Sequence, residues 1–105
     1  MQLIIAPKET EVQLSWEDAM EYCDNLKVDG YTNWRLPTRF ELQFLIETQP
    51  TEFDYTLSYW TSTERNYDSP GAEFILCSIR DLYQSCWKES KLFVRAIRRV
   101  KNNKQ

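Results

Sequence analysis

The sequence predicts an α+β domain in which two short helices pack on a twisted antiparallel sheet. Apolar residues recur at helical spacing over 15–26 and about 39–47, and after Pro50 their spacing changes to the alternation typical of strands. An order of helices followed by a run of antiparallel strands is typical of the α+β class. The length of 105 residues fits one compact domain over 1–105, whose basic end, about 101–105, we expect to be frayed.

The first part of the chain contains a short strand and the first helix. Residues 2–6 are mainly apolar and predict the strand. Ser15 is a good N-cap for the helix, and Asp18 three residues later gives a variant of the capping box. A turn at 29–30, Asp-Gly, ends this region. The apolar residues of the helix form one stripe: Trp16, Ala19, Met20, Cys23 and Leu26.

The second helix begins directly after the triplet Leu-Pro-Thr at 36–38. Pro37 disfavours helical backbone at the residue before it, so the helix cannot start earlier. Thr38 and Glu41 form the Thr-x-x-Glu pattern of a capping box, which predicts a helix start at this point. The helix is supplied with apolar groups by Phe40, Leu42, Phe44, Leu45 and Ile46.

Four strands are predicted after Pro50, and turn residues separate them. The Asp-Ser-Pro-Gly stretch at 68–71 contains the Pro-Gly pair typical of a type II turn, and a second tight turn is expected at 80–81. The strand before that second turn is almost continuously apolar, which predicts a central position in the sheet. The strands are 59–63, 72–79, 82–87 and 92–100, the last with Val94 and Ala96 alternating against Arg95.

Charge is distributed unevenly along the chain. Residues 1–64 carry 4 Lys or Arg and 12 Asp or Glu, whereas residues 88–105 carry 7 Lys or Arg and one Glu. A basic segment can mark a nucleic-acid-binding tail. The net charge of −3 and the pI near 5.0 disfavour that role, so we interpret the segment as a last strand with solvated basic residues.

The composition also argues against several classes of protein. The mean hydropathy of −0.62 and the lack of an apolar run near the roughly 18 residues of a membrane helix argue against a membrane protein. The chain has no histidine, which removes the usual general base and most zinc sites. Because the start, MQLIIAP, lacks the basic region of a secretion signal, we expect a cytoplasmic protein if Met1 is the native start.

Four stretches resemble the Lcl C-terminal-domain family, which has the C-type-lectin-like fold. "LSWEDAMEYCDNL" and "DGYTNWRLPTRFEL" resemble the family signature, and "YWTSTE" and "FVRAIRR" match its later strand motifs in the right order. The resemblance covers about 12–100 and implies a C-type-lectin-like fold. Similar pieces occur in formylglycine-generating-enzyme-like domains of the same fold, so the resemblance speaks to fold more than to function.

The resemblance allows two further expectations, one for Cys23 and one for calcium binding. Lectin-like domains often join the first helix to the last strand by a disulfide, but the position that matches in the last strand is Ala96, so Cys23 has no partner there. We expect Cys23 to be a small buried apolar residue. The Glu-Pro-Asn and Trp-Asn-Asp calcium motifs of sugar-binding lectins are absent, so neither a metal nor a cofactor is expected.

Cys77 and Cys86 would face each other if the hairpin between the last two central strands turned at 81–82. Such a pair could form a disulfide, bind copper(I) or act as a redox pair, as in formylglycine-generating enzymes. We interpret the two as core thiols, because the chain lacks the additional loops that build the pocket of those enzymes. A reduced copper or thiol oxidase therefore stays an alternative, tested by copper(I) titration with thiol protection, and mass spectrometry with and without alkylation shows whether the two cysteines are bonded.

The four tryptophans suggest where a partner could bind. Three of them, Trp16, Trp34 and Trp60, are predicted to lie in the core. Trp87 stands at a strand end beside Lys88, where it could either cover the edge of the core or anchor an interface. We expect a binding surface at the turns around it, formed by Arg65, Tyr67, Arg80, Tyr83 and Trp87.

The function predicted from these features is a non-catalytic module that binds another protein. The compact size would suit an accessory or inhibitor protein, for example one encoded by a phage. A glycan-binding or ligand-binding domain of secreted type is an alternative, and nucleic-acid binding through 88–105 is disfavoured. The sequence does not define an oligomeric state.

Arg35 lies between Trp34 and Leu36, which alternate with it as in an extended segment on the core. Its guanidinium could pair with Glu41 or Glu64, or could face a ligand, and we favour the structural pairing. We therefore expect Arg35→Ala to lower the free energy of unfolding by roughly 1–3 kcal/mol, the loss for a partly buried charged pair. Thermal unfolding measures this, and an unchanged melting temperature would contradict it.

Overall fold

The structure, a computed structural model, describes residues 2–54, 56–64, 71–76 and 83–100. These residues form an α+β fold, as predicted. Short 3-10 turns lie at Lys8–Thr10 and Pro50–Glu52. The other elements, in chain order, are β1 Gln2–Ile5, β2 Val12–Leu14, α1 Trp16–Asn25, α2 Arg39–Thr48, β3 Ser58–Glu64, β4 Gly71–Leu76, β5 Tyr83–Trp87, β6 Leu92–Val94 and β7 Ile97–Val100.

Both helices begin where their capping residues predict. The Ser15 hydroxyl accepts a hydrogen bond from the backbone N–H of Asp18 at the start of α1. At α2 the capping box is complete, because the Thr38 hydroxyl accepts from the Glu41 N–H at 3.2 Å and the Glu41 carboxylate accepts from the Thr38 N–H at 2.9 Å. Each pair satisfies backbone donors that a helix start leaves without a partner.

The strands form two sheets in the described part of the chain. The larger sheet has the order β2-β6-β3-β4-β5, and the smaller one pairs β1 with β7. The neighbours are antiparallel except for β3 and β6, which meet in parallel where Tyr59 lies opposite Phe93. β2 was not predicted, because its three residues are too few to set up a recognisable alternation.

The core contains three of the four tryptophans, as predicted. Trp16, Trp34 and Trp60 are each less than a tenth exposed. Each indole N–H donates to a backbone carbonyl, at Thr61, Tyr31 and Leu14 respectively, with distances of 2.8 to 3.1 Å. These bonds satisfy the polar atom of each ring, so that its apolar surface can be buried without an unpaired donor.

Helix α2 buries only part of its apolar residues. Leu42, Leu45 and Ile46 are buried and form a second cluster with residues of the smaller sheet. Phe40 and Phe44, four residues apart, lie on the opposite side and are 67% and 53% exposed. Within the described residues, no helix is long and apolar enough to span a membrane.

The predicted last strand, 92–100, is in fact two strands. β6 belongs to the larger sheet and β7 to the smaller one, and the chain changes sheets at Arg95 and Ala96. The expected alternation fails there, because Val94, Arg95 and Ala96 are all buried. The reason is that the Ala96 carbonyl accepts from the Ala6 N–H at 2.9 Å, which fixes the end of β1 at the break.

The predicted turns have different outcomes. The Asp29-Gly30 turn is confirmed, since both residues have positive φ, 56° and 81°, and Val28 pairs with Tyr31 across it. Residues 68–70 of the predicted type II turn, the turn at 80–81 and the basic end at 101–105 lie outside the described residues.

The Arg95 side chain is the most deeply buried charge among the described residues. It is 1% exposed, and its Nε donates to the Ala6 carbonyl at 3.0 Å. One Nη donates to the Glu52 carbonyl, and the other meets a Glu52 carboxylate oxygen at 2.8 Å. Glu11 lies 3.5 Å away and also accepts the Tyr59 hydroxyl at 2.9 Å. The guanidinium therefore joins β1, the 3-10 turn at 50–52 and the strand break.

We expect Arg95→Ala to lower the free energy of unfolding by roughly 2–4 kcal/mol, because it removes a buried guanidinium and leaves the carbonyls of Ala6 and Glu52 without its donors. Urea unfolding followed by circular dichroism measures the loss. Arg99→Ala, at an exposed position of β7, is the matched control and should stay close to the unchanged chain. Equal stability of the two variants would contradict a central role for Arg95.

Candidate binding surface

The Trp-Arg-Leu-Pro segment is a structural joint between α2 and the sheets. Trp34 and Leu36 are 3% and 2% exposed, as predicted. The N–H and C=O of Arg35 each form a 2.8 Å hydrogen bond with Ile97, which attaches the segment to the edge of β7. Pro37 continues the contact, because its carbonyl accepts from the Ser62 N–H of β3 at 2.8 Å.

Arg35 pairs with Glu41, one of the two partners predicted for it. Its two Nη atoms lie 2.7 and 2.9 Å from the two carboxylate oxygens, a bidentate geometry that favours arginine over lysine. The hydrogen bond from Arg35 holds the pKa of Glu41 below its ordinary value, and the Thr38 N–H adds to the effect. The carboxylate therefore serves both the ion pair and the helix cap.

Arg35 also borders an open groove of about 580 Å³ between α1 and the joint. Its side chain is 41% exposed, so it is not enclosed by its partner. The α1 wall carries the carboxylates of Glu17, Glu21 and Asp24. Their spacing of four and three residues places them on one helix face, a pattern that would have predicted this acidic wall from the sequence.

Trp87 is the exposed member of the four tryptophans. It ends β5 and is 64% exposed, so it does not cover the edge of the core. Lys88 beside it is held in place: its ammonium group lies 2.6 Å from the Glu64 carboxylate and 4.4 Å from the centre of the Trp16 ring. Its carbonyl accepts from the Trp16 N–H at 2.8 Å, which fixes the backbone after the strand.

A cavity of about 510 Å³ adjoins this strand end. Ser15, Glu17, Lys88 and Glu89 line it. The cavity therefore combines two carboxylates with one ammonium group, and Trp87 is not among its lining residues. Such charged groups beside a strand end are typical of the polar rim of a binding surface.

The structure describes only part of the predicted binding set. Arg65, Tyr67 and Arg80 lie outside the described residues. Tyr83 begins β5 opposite Ile75, and Trp87 ends it opposite Gly71. Three residues of extended strand lie between the two, which are therefore about 13 Å apart. They are therefore at the two ends of one strand and do not form a single contact point.

The strand register under which Cys77 would face Cys86 is not the one that the structure has. Cys86 lies opposite Ala72, and the register keeps this offset through all five pairs of β4 and β5. The prediction assumed a two-residue turn at 81–82, whereas β4 ends at Leu76 and β5 begins at Tyr83. Cys77 itself lies outside the described residues.

Cys23 is a buried free thiol, as expected. It is 1% exposed and belongs to the same core cluster as Ala96. Burial, with a smaller effect of Asp24, raises the pKa of the thiol to about 12. A thiol with so high a pKa is a poor nucleophile at neutral pH, so its role is to fill the core.

Two residues near these surfaces were missed by the sequence analysis. The Arg98 guanidinium lies 3.3 Å from the centre of the Tyr31 ring and 5.7 Å from that of Trp34, in cation–π geometry. Tyr31 lies in the 28–31 turn and Arg98 lies in β7, so the two are distant in the sequence. No local sequence pattern therefore predicts their contact. Among the described residues, no group of three or more Asp, Glu or Cys could hold a metal ion.

The fold and the joint define a C-type-lectin-like domain. The family model of the Lcl C-terminal domain matches residues 5–98, and the chain belongs to this family. No curated protein matches the chain. The predicted family and fold are thereby confirmed, whereas the family membership carries no specific function.

The ion pair of Glu41 predicts a pH dependence of stability. Because its pKa is lowered in the folded chain, its contribution is fully present above the ordinary value of 4.5 and is lost as the pH falls through the lower folded pKa. We expect Glu41→Gln to cost about 1–2 kcal/mol at neutral pH, and the difference to shrink below pH 4.5. Urea unfolding at several pH values measures it.

Glu47→Gln is the control for this experiment, since Glu47 is exposed on the same helix and accepts a solvent-exposed hydrogen bond from the Gln43 amide at 3.4 Å. Its effect should be small at every pH. A difference between Glu41→Gln and the unchanged chain that stays constant on acidification would contradict the assignment.

Proposed function

We propose that this chain is a non-catalytic module that binds another protein through a surface centred on Trp87. Arg65, Tyr67, Arg80 and Tyr83 are the further contacts that the sequence suggests. The observation that carries the proposal is the exposure of Trp87, 64%, when the other three tryptophans are buried. A large aromatic ring buries much apolar area in an interface, and tryptophan is among the residues most enriched in binding hot spots.

The backbone and the Lys88 side chain beside Trp87 favour binding, because contacts within the chain already hold them in place. The backbone after the ring is hydrogen-bonded to the start of α1, and Lys88 is fixed between Glu64 and the Trp16 ring. A preorganised anchor loses little conformational entropy on binding. The adjoining cavity, with its two carboxylates, offers a place for a basic side chain of the partner.

The chemistry of the described residues supports a binding role over catalysis. The chain contains no histidine, the Cys23 thiol is buried with a raised pKa, and Arg35 is already paired with Glu41. The oxidase alternative depended on Cys77 facing Cys86, and Cys86 instead faces Ala72. The proposal of a protein partner therefore rests on the exposed ring and not on any reactive group.

The test compares Trp87→Ala with a matched control, Phe40→Ala. Phe40 is 67% exposed but lies on α2, so its loss removes a similar apolar area elsewhere. Tagged protein from each variant is used to capture partners from cells of the source, and the affinity of a captured protein is then measured with purified components. We expect Trp87→Ala to weaken binding about 30-fold, corresponding to a hot spot of about 2 kcal/mol.

Phe40→Ala should bind like the unchanged chain. Equal affinity of all three proteins, or a loss only in Phe40→Ala, would overturn the proposed surface. Circular dichroism of both variants shows whether each has kept its fold.

A further inference from the structure

One edge of the larger sheet is open in the described part of the chain. β5 pairs with β4 on one side, and no described strand pairs with it on the other. An edge strand presents backbone donors and acceptors that can pair with another strand. β5 thus offers a five-residue template that ends at Trp87.

This edge lacks the features that usually prevent pairing. Charged residues, proline, a bulge or a very short strand are the common means of protection. The sequence of β5, Tyr-Gln-Ser-Cys-Trp, has no charge and no proline, and its register with β4 is regular over all five pairs. The opposite edge of the sheet, β2, has only three residues and so is protected by its length.

We propose that β5 pairs with β5 of a second copy of this chain, antiparallel and about a twofold axis at Ser85. This arrangement would join the two five-stranded sheets into one continuous sheet of ten strands. A twofold interface of this kind uses the same surface on both copies, which is the commonest symmetry of protein dimers.

The sequence of β5 is complementary to itself in this register. With the axis at Ser85, all five residues of each strand are paired: Tyr83 meets Trp87, Gln84 meets Cys86, and Ser85 meets its own copy. No charge opposes a like charge, and the outer pairs bring two aromatic residues together, which stabilises antiparallel strands. Moving the axis to residue 84 or 86 leaves part of each strand unpaired.

The interface is small. Pairing of two five-residue strands buries less than the roughly 1,200 Å² of total area that a stable dimer usually has. We therefore expect a weak dimer that forms at micromolar or higher concentration and is in exchange with the monomer.

The dimer would enlarge the proposed binding surface, and this one consequence rests on the proposed function. Alternate residues of a strand share a face, so positions 83 and 87 of each copy lie on the same face of the joined sheet. The twofold axis runs perpendicular to that sheet, so the four aromatic positions form two pairs on one face, one pair at each end of the joined strands. A partner would then meet two anchors at once, which raises its apparent affinity.

The test is sedimentation velocity of the full chain over a range of micromolar concentrations. We expect the average mass to rise from 12.6 kDa toward twice that value as the concentration rises. Ser85→Lys places two ammonium groups against each other at the axis and should keep the chain monomeric throughout. Gln13→Lys, at an exposed position of the opposite edge, is the control and should associate like the unchanged chain.

A monomeric unchanged chain at the highest concentration would overturn the proposal, and so would a dimer that Ser85→Lys leaves intact. If Ser85→Lys fails to fold, a second test uses Ser85→Cys in a chain that also carries Cys86→Ser. Mild oxidation should then join two copies by a disulfide at residue 85. Gln13→Cys in the same Cys86→Ser chain is the control and should not be joined. Failure of this cross-link would overturn the twofold register. Partner capture by Trp87 from a strictly monomeric chain would leave the proposed function standing without the dimer.

Discussion

The buried guanidinium of Arg95 holds together segments that are distant in the sequence. It bonds to Ala6 after β1, to Glu52 in the turn after α2, and approaches Glu11 before β2. Burial of a charge is costly unless carbonyls and carboxylates surround it, and Arg95 is surrounded by both. Because Arg95 also marks the change from β6 to β7, the same side chain fixes how the two sheets and their two cores meet.

The features that the sequence predicted well are local ones. Thr38 and Glu41 are three residues apart, so their capping box is legible in the chain itself, and the same pattern located Glu41 as a partner for Arg35. The break at Arg95 depends on Ala6, 89 residues away. The register of β5, which sets Cys86 opposite Ala72 of β4, is also not fixed by residue types alone. Contacts and strand registers of this kind are determined by packing between distant segments, so the spacing of apolar residues along the chain does not predict them.

Arg35 and Trp87, the central residues of the two candidate sites, differ in how much of each side chain is engaged in contacts within the fold. Arg35 combines backbone bonds to Ile97 with a bidentate pair to Glu41, so it stabilises the joint and presents only part of its surface to the acidic groove. Trp87 contributes little to the core and keeps most of its ring in solvent. The sequence predicted the role of Arg35 because its partner is near in the chain, whereas a strand-end tryptophan is compatible with either burial or exposure.

The pairing of β1 with β7 has a consequence for how such a domain can be carried by other proteins. Gln2 lies directly opposite Val100, so the two ends of the described fold emerge side by side. A domain with adjacent ends can be inserted into a surface loop of a host protein without pulling that loop apart. The same geometry would permit new ends to be opened in an exposed connection once the old ones are joined by a short linker.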